Sequence, residues 1–130
     1  MAQPTTYLCT ATRLRVRGVR QLGPFLSASR KAALAAKRTP GNVRTRVLGL
    51  PPWLVFSTLS VWESREAMAA FAKSPEHREC MQHMAHWASR GKFVTFTTET
   101  PRVGWRHAGR KLRDPDAVWT PHEQYRRPTA

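Results

Sequence analysis

The residues best suited to chemistry lie between positions 74 and 90, where a histidine falls on the apolar side of a predicted helix. At about 100° per residue, one face of this helix carries His77, Cys80, Met81, Met84, Trp87 and Ala88. An imidazole that lines a cavity can donate a hydrogen bond to a carbonyl group, act as an acid or base, or bind heme iron. The alternative is a structural histidine that bonds a backbone carbonyl near the helix start, where the dipole favours its neutral form. We predict His77 as the catalytic residue, and the structural alternative stays open.

Other side chains of this helix do not predict a metal site. Cys80, His83 and His86 follow one another at three-residue intervals, and each step rotates by about 60° around the helix. Metal ligands must converge on one point, so these side chains are expected to diverge instead. The sequence also lacks a phosphate-binding glycine loop, a nucleophile elbow and a paired-carboxylate motif.

Large apolar side chains around His77 predict the walls of a substrate pocket. The predicted pocket residues are Trp62, Phe56, Phe71, Met81, Met84 and Trp87. An apolar ligand cavity and a packed core use the same residue types. Core packing therefore remains the alternative for each of them.

Positive charge is concentrated outside this helix. The chain has a formal net charge of +14, and residues 1–49 contain basic side chains but no acidic one. Such a balance favours nucleic acid or another anionic partner, although charge alone gives only non-specific attraction. Arg13 with Arg15, and Arg44 with Arg46, each place two guanidinium groups on one face of a strand. These pairs are suited to binding an anionic ligand. Alternatively, their charge keeps an edge strand soluble.

Length and cysteine usage indicate one domain in a reducing compartment. A chain of 130 residues suffices for a single core. We expect no membrane span, because no apolar run of about 18 residues is present, and no signal peptide. Cys9 and Cys80 are too few for a disulfide framework and are predicted to be buried thiols. The predicted location is the cytoplasm.

Periodicity predicts the element order β-α-β-β-α-β. Strands are predicted over 7–16, 43–49, 54–62 and 93–98, and the first helix over 25–38, after Gly23 and Pro24. The second helical region has two parts, which begin after the capping residues Ser64 and Ser74 and end at Gly91. The predicted fold class is α+β, a ferredoxin-like four-stranded antiparallel sheet with the helices on one face.

The remaining features concern the sheet's other face and the C-terminal segment. Residues 1–100 are predicted to form the ferredoxin-like domain, and residues 101–130 a basic, Pro-rich irregular arm that lies on a partner subunit. The helix-free face of the sheet carries apolar side chains that must be covered. We therefore expect a homodimer that forms through this open sheet face.

Three sequence passages carry a family resemblance: Ser60 to Ser64, Glu66 to Phe71, and Ser74 to His77. Together they resemble the dimeric α/β-barrel superfamily, in particular proteins similar to antibiotic-biosynthesis monooxygenases and spheroidene monooxygenase. The resemblance covers roughly residues 5–98. It implies a homodimer with a cavity between sheet and helices in each protomer, and it places His77 where spheroidene-type proteins carry a histidine.

The resemblance also bears on cofactors. Heme-degrading members carry a Trp and a His on this helix, at positions that correspond here to Phe71 and Met81. This departure argues against heme degradation. We expect no cofactor, with heme binding as the alternative.

Two functions follow as hypotheses. The first is a monooxygenase-like small-molecule enzyme that acts on an apolar aromatic or polyketide-like substrate in a cavity lined by His77. The second is a non-catalytic ligand-binding protein of the same fold, or a basic module that contacts nucleic acid. No helix-turn-helix, zinc finger or RNP-type aromatic pair strengthens the nucleic-acid version.

Overall fold

The fold is that of a computed structural model, which describes residues 6–50 and 54–120. The elements in chain order are β1 (Tyr7–Val16), α1 (Val19–Arg38), β2 (Asn42–Leu50), β3 (Val55–Trp62), α2 (Arg65–Ala72), α3 (Pro75–Trp87), β4 (Ala88–Thr98), α4 (Trp105–Leu112) and β5 (Ala117–Trp119). None of the described helices is both long enough and apolar enough to cross a membrane.

The strands of the described chain form one antiparallel sheet in the order β2-β3-β1-β4-β5. Its first four strands have the predicted ferredoxin-like arrangement, with β1 paired to β3 on one side and β4 on the other. The predicted fold class is confirmed, with β5 added as a fifth strand beside β4.

Alternation along β1 separates the two faces of this sheet. Leu8 and Leu14 pack towards α1, α2 and α3, on what we call the inner face. Cys9 and Ala11 lie on the opposite, outer face, in a cluster that includes Leu59 of β3. Because successive strand residues point to opposite sides, each face has its own core.

The two predicted caps of the second helical region are confirmed. The Ser64 side chain accepts a hydrogen bond from the Ala67 backbone N–H, at 3.1 Å. Ser74 does the same for the His77 backbone N–H at 3.3 Å, directly before Pro75 opens α3. A cap satisfies one of the backbone donors that a helix start leaves unpaired, which fixes where each helix begins.

Two predicted helix boundaries are wrong. The first helix begins at Val19, with Pro24 inside it; proline removes only one backbone hydrogen bond there, and Leu22 packs against the core. The second region ends at Trp87, because Gly91 belongs to β4, opposite Leu14 of β1. A β-carbon on Gly91 would lie 2.7 Å from Leu14 Cδ2, so glycine serves close strand packing here.

The prediction of an open sheet face is wrong for the described chain. Helix α4 crosses the outer face and buries Ala108 and Leu112 in the cluster around Cys9. Cys9 and Val61 have no exposed surface within a single chain. The apolar side chains that suggested self-association through this face are therefore covered by the chain's own helix.

The predicted irregular arm is correspondingly wrong for residues 105–112 and 117–119, which form α4 and β5. The apolar spacing of Trp105, Ala108 and Leu112 explains the helix, because all three positions turn towards the sheet. Residues 121–130 lie outside the described chain. A homodimer and a domain boundary near residue 100 stay predictions.

Candidate functional site

A cavity of about 320 Å³ lies between the inner face of the sheet and helices α1, α2 and α3. Small side chains of α1 create the space, because they leave a gap between the helix and the sheet; they are Ser29, Ala32, Ala33 and Ala36. Its volume falls at the lower end of the range for small-molecule sites. The fold thus provides room for one compact ligand.

The predicted pocket residues are mostly brought together around this cavity. His77, Trp62, Phe71, Met81, Met84 and Trp87 all line it. Phe56 is placed elsewhere, since it is 7% exposed and packs on the Phe25 ring at 5.0 Å between ring centroids. Whether the lining residues contact a substrate stays a prediction.

The floor of the cavity carries hydroxyl groups that the sequence analysis did not select. They belong to inward-facing positions of four strands: Thr10, Thr12, Thr45, Thr58, Ser60 and Thr95. Their signal in the sequence is threonine or serine at strand positions that would otherwise hold apolar core residues. A hydroxyl can both donate and accept, so this floor can bond polar atoms of a ligand.

Neighbouring hydroxyls of the floor are already linked. Thr12 bonds Thr58 across β1 and β3, and Thr10 lies 3.4 Å from the Thr95 hydroxyl. Thr10 also donates to Met68 Sδ at 2.9 Å, which ties the floor to α2. The links hold the hydroxyls in place, while the second lone pair of each oxygen leaves capacity for a ligand.

Trp62 is fully buried and lines the cavity at the end of β3. Its ring stacks on Phe71, with centroids 5.5 Å apart and an interplanar angle of 24°. Its Nε1–H has no acceptor among the described residues. A buried donor without a partner costs about 1–3 kcal/mol.

His77 also packs against Phe71, with ring centroids 5.0 Å apart. Its Nδ1 is 3.1 Å from the carbonyl oxygen of Ala72. A carbonyl only accepts, so Nδ1 carries the proton and Nε2 of the neutral ring is a free base. His77 therefore shows the features of both alternatives. It has the hydrogen bond to a backbone carbonyl that is expected of a structural histidine, and it lies in the cavity wall, as is expected of a catalytic one.

Burial lowers the pKa of His77 from its usual 6.5, and the backbone hydrogen bond to Ala72 opposes this shift. Desolvation disfavours the imidazolium ion, which is why burial dominates. The ring is thus neutral at physiological pH. A neutral imidazole can accept a proton from a bound ligand.

Cys80 also lines the cavity but is not suited to nucleophilic chemistry. Its Sγ donates to the Ala28 carbonyl at 3.5 Å. Burial and the neighbouring Glu79 raise the pKa of the thiol to about 11. Since the thiolate is the reactive form, this cysteine stays inert near neutral pH.

The remaining α3 histidines lie outside the cavity. His83 and His86 are exposed, and the His83 ring stacks on Trp87 with centroids 5.3 Å apart. Within the described ranges, no group of three His, Cys, Asp or Glu side chains is placed to hold a metal ion.

Comparison with solved structures shows what the fold is similar to. A protein from Nitrosomonas europaea, described as a "putative antibiotic biosynthesis monooxygenase", superposes with a TM-score of 0.65 and 21% identity, over 78% of this chain and 97% of that one. SnoaB, a cofactor-independent oxygenase from Streptomyces nogalater, gives a TM-score of 0.59 and 19% identity, over 76% and 96%. The predicted resemblance to antibiotic-biosynthesis monooxygenase-like proteins is confirmed at the level of the fold.

Further comparisons address the family. A Bacteroides thetaiotaomicron protein of unknown function, described as a possible oxidoreductase, gives a TM-score of 0.60 at 12% identity, over 74% of this chain and all of that one. No curated protein matches the sequence significantly. The profile of the domain of unknown function DUF3291 matches residues 20–98, which hold the inner-face helices and most of the cavity lining. The chain belongs to the DUF3291 family.

Proposed function

We propose that this protein is a monooxygenase-like enzyme that acts on an apolar aromatic or polyketide-like small molecule, with His77 as the catalytic base. The observation that carries the proposal is one cavity that combines a neutral imidazole and a floor of hydroxyls inside aromatic walls. The oxygenase SnoaB, which has the same fold, supports this class of chemistry.

The walls and floor of the cavity favour a flat aromatic substrate that carries oxygen atoms. The rings of Trp62, Phe71 and Trp87 line the cavity together with the hydroxyls of the floor. A polycyclic aromatic ketone meets this requirement. Its faces contact the aromatic walls, and its oxygen atoms bond the floor hydroxyls.

The proposed reaction converts a benzylic CH₂ group of such a ketone into a carbonyl, with dioxygen as co-substrate. His77 Nε2 removes one proton, and the electron pair delocalises onto the ketone oxygen, which a hydroxyl of the floor stabilises. The carbanion adds to dioxygen and forms C–OO⁻, which takes the proton back from His77 and becomes C–OOH. His77 then removes the second C–H proton, the C=O bond forms as the O–O bond breaks, and the departing hydroxide takes this proton from His77 to become water. One oxygen atom ends in the product and one in water, so CH₂ and O₂ balance against C=O and H₂O.

Heme fits this cavity poorly. A volume of about 320 Å³ suits a compact ligand and is small for a porphyrin. The floor of threonine and serine hydroxyls is also polar where a porphyrin face is apolar. No step of the proposed reaction passes through heme. We propose the cytoplasm as the compartment, which the two free thiols of Cys9 and Cys80 support.

The proposal is tested with a tricyclic anthrone, whose central CH₂ group is acidic and whose product is a quinone. The wild-type protein is expected to consume one O₂ for each quinone formed. His77→Gln should lower kcat by about 10²–10⁴-fold, the usual contribution of a general base.

His83→Gln is the matched control, because His83 is an exposed histidine on the same helix outside the cavity. It should retain wild-type kcat. An equal loss in His83→Gln and His77→Gln would contradict the assignment of His77. Wild-type turnover that His77→Gln retains would contradict it as well.

The second candidate is a non-catalytic ligand-binding protein of this fold. It is favoured by the shortage of ionisable groups in the cavity: His77 and the unreactive Cys80 are the titratable side chains among the described lining residues. A carrier would bind the anthrone or its quinone with retained affinity and no O₂ consumption. Turnover therefore separates the two functions.

A further inference from the structure

The outer face of the sheet contains a second concavity, of about 580 Å³, between the strands and α4. Strand residues Arg13 and Lys92 line it from below, and α4 with its C-terminal cap contributes Arg106, Arg110 and Arg113. Gly109 and Leu112 complete the lining, and no carboxylate takes part among the described residues. We refer to this site as the basic concavity. It lies on the sheet face opposite the His77 cavity.

The strand part of the basic concavity places like charges together. Arg13 of β1 and Lys92 of β4 are direct cross-strand partners in the antiparallel register. Directly opposed like charges destabilise a sheet. The fold therefore tolerates a repulsive pair that a neutral residue would remove.

The helix part of the basic concavity also places like charges together. Arg106 and Arg110 are four residues apart on α4, a spacing at which like charges repel. The helix dipole accounts for cations near the C-terminus, such as Arg110, but it disfavours one in the first turn, where Arg106 lies. Helix stability alone does not explain this arrangement.

Arg13 is held in a defined orientation. Its Nε lies 3.3 Å from the hydroxyl of Ser57, a residue only 3% exposed. A terminal nitrogen of its guanidinium lies 3.8 Å from the point where a β-carbon of Gly109 would stand, so the group reaches across to α4. The terminal N–H groups of an arginine anchored in this way are preorganised for a ligand.

We propose that the basic concavity binds a small anion with adjacent phosphate groups, such as a polyphosphate or the phosphate tail of a nucleotide. Guanidinium groups bond phosphate oxygens in pairs, and such an anion would neutralise both repulsive pairs at once. The cations converge from three elements on one concavity. A compact anion fits this convergence better than an extended nucleic-acid backbone, which needs cations along a track.

The proposal is tested by titration calorimetry with inorganic tripolyphosphate at physiological ionic strength. Wild type should bind it with a stoichiometry of one. The double variant Arg106→Gln/Arg110→Gln should bind at least about tenfold more weakly, as expected for loss of charge-assisted hydrogen bonds.

The chain offers a matched control in Arg15→Gln/Arg90→Gln. Arg15 and Arg90 are another exposed cross-strand pair on β1 and β4, but they do not line the basic concavity. This variant loses the same charge and should weaken binding by no more than about threefold, through the general field. Equal weakening in both double variants would show non-specific attraction and overturn the proposal.

Thermal unfolding provides a second readout that does not depend on measurable binding. Without ligand, Arg106→Gln/Arg110→Gln should unfold at the wild-type temperature or above it, because a repulsive pair is removed. Tripolyphosphate should raise the unfolding temperature of wild type clearly more than that of this variant. The site would be refuted if tripolyphosphate did not stabilise the wild-type protein. It would also be refuted if the protein bound duplex DNA and tripolyphosphate did not displace that DNA. Both outcomes are independent of the reaction proposed for the His77 cavity.

Discussion

At the scale of single residues, the rings of Trp62 and His77 both pack on Phe71. Each carries an unusual property: Trp62 has an indole donor without an acceptor among the described residues, and His77 has an imidazole whose Nδ1 holds the proton. The sequence indicated His77 through its apolar neighbours on the helix. The state of the Trp62 N–H depends on which atoms surround it in space, so no sequence pattern could reveal it.

The lowered pKa of His77 predicts a pH dependence of stability. The unfolded chain, with the usual value of 6.5, binds a proton more readily than the folded one. The contribution of His77 to the free energy of unfolding should therefore be constant above pH 6.5, the pKa of this residue in the unfolded chain. It should decrease as the pH falls from 6.5 through the lower pKa of the folded state. Urea unfolding between pH 7.5 and about 5 would measure this decrease.

His77→Gln should flatten that decrease, because the variant has no imidazole at this position. A steeper acid loss in the His77→Gln variant than in wild type would contradict the direction given for the pKa.

At the scale of elements, the loop between α1 and β2 shows why one glycine is required. Gly41 has φ 93°, in the left-handed region, and its carbonyl accepts from the Glu63 backbone N–H at 2.8 Å. A β-carbon there would lie 2.5 Å from Cβ of Ala67 on α2. The gap between the helix predicted over 25–38 and the strand predicted over 43–49 indicated a short turn here, and only the packing of α2 explains how tight it is.

Gly41→Ala should lower the free energy of unfolding by roughly 2–4 kcal/mol, from backbone strain and the collision with Ala67. The control is Gly104→Ala, where nothing lies within 4 Å of the new β-carbon. At this N-cap position the loss should stay within about 1 kcal/mol. Chemical denaturation followed by tryptophan fluorescence compares the two variants, and equal losses would contradict the packing explanation.

At the scale of the whole molecule, the chain is a three-layer structure, with α1, α2 and α3 on the inner face of the sheet and α4 on the outer one. The outer core is therefore complete within one chain. The apolar spacing of residues 105–112 is visible in the sequence. Because the helix has only two turns and lies among proline, glycine and charged residues, this spacing did not indicate a helix.

Leu112→Ala should cost about 2–5 kcal/mol, because Leu112 is 3% exposed and fills the core between α4 and the sheet. The same change at Leu26 of α1, which is 44% exposed, should cost less than about 1 kcal/mol. Thermal or urea unfolding measures both. A small effect at Leu112 would mean that α4 does not seal the outer face.

The sequence by itself determined how the first four strands follow one another along the chain, the caps at Ser64 and Ser74, and the helix face that carries His77. These features depend on interactions between residues close in the chain, which leave a periodic pattern. Only the tertiary structure decided that α4 covers the outer face, that Phe56 lies outside the cavity, and that five cations meet in one concavity. Each of these depends on contacts between distant segments, and such contacts follow from the way layers pack rather than from local periodicity.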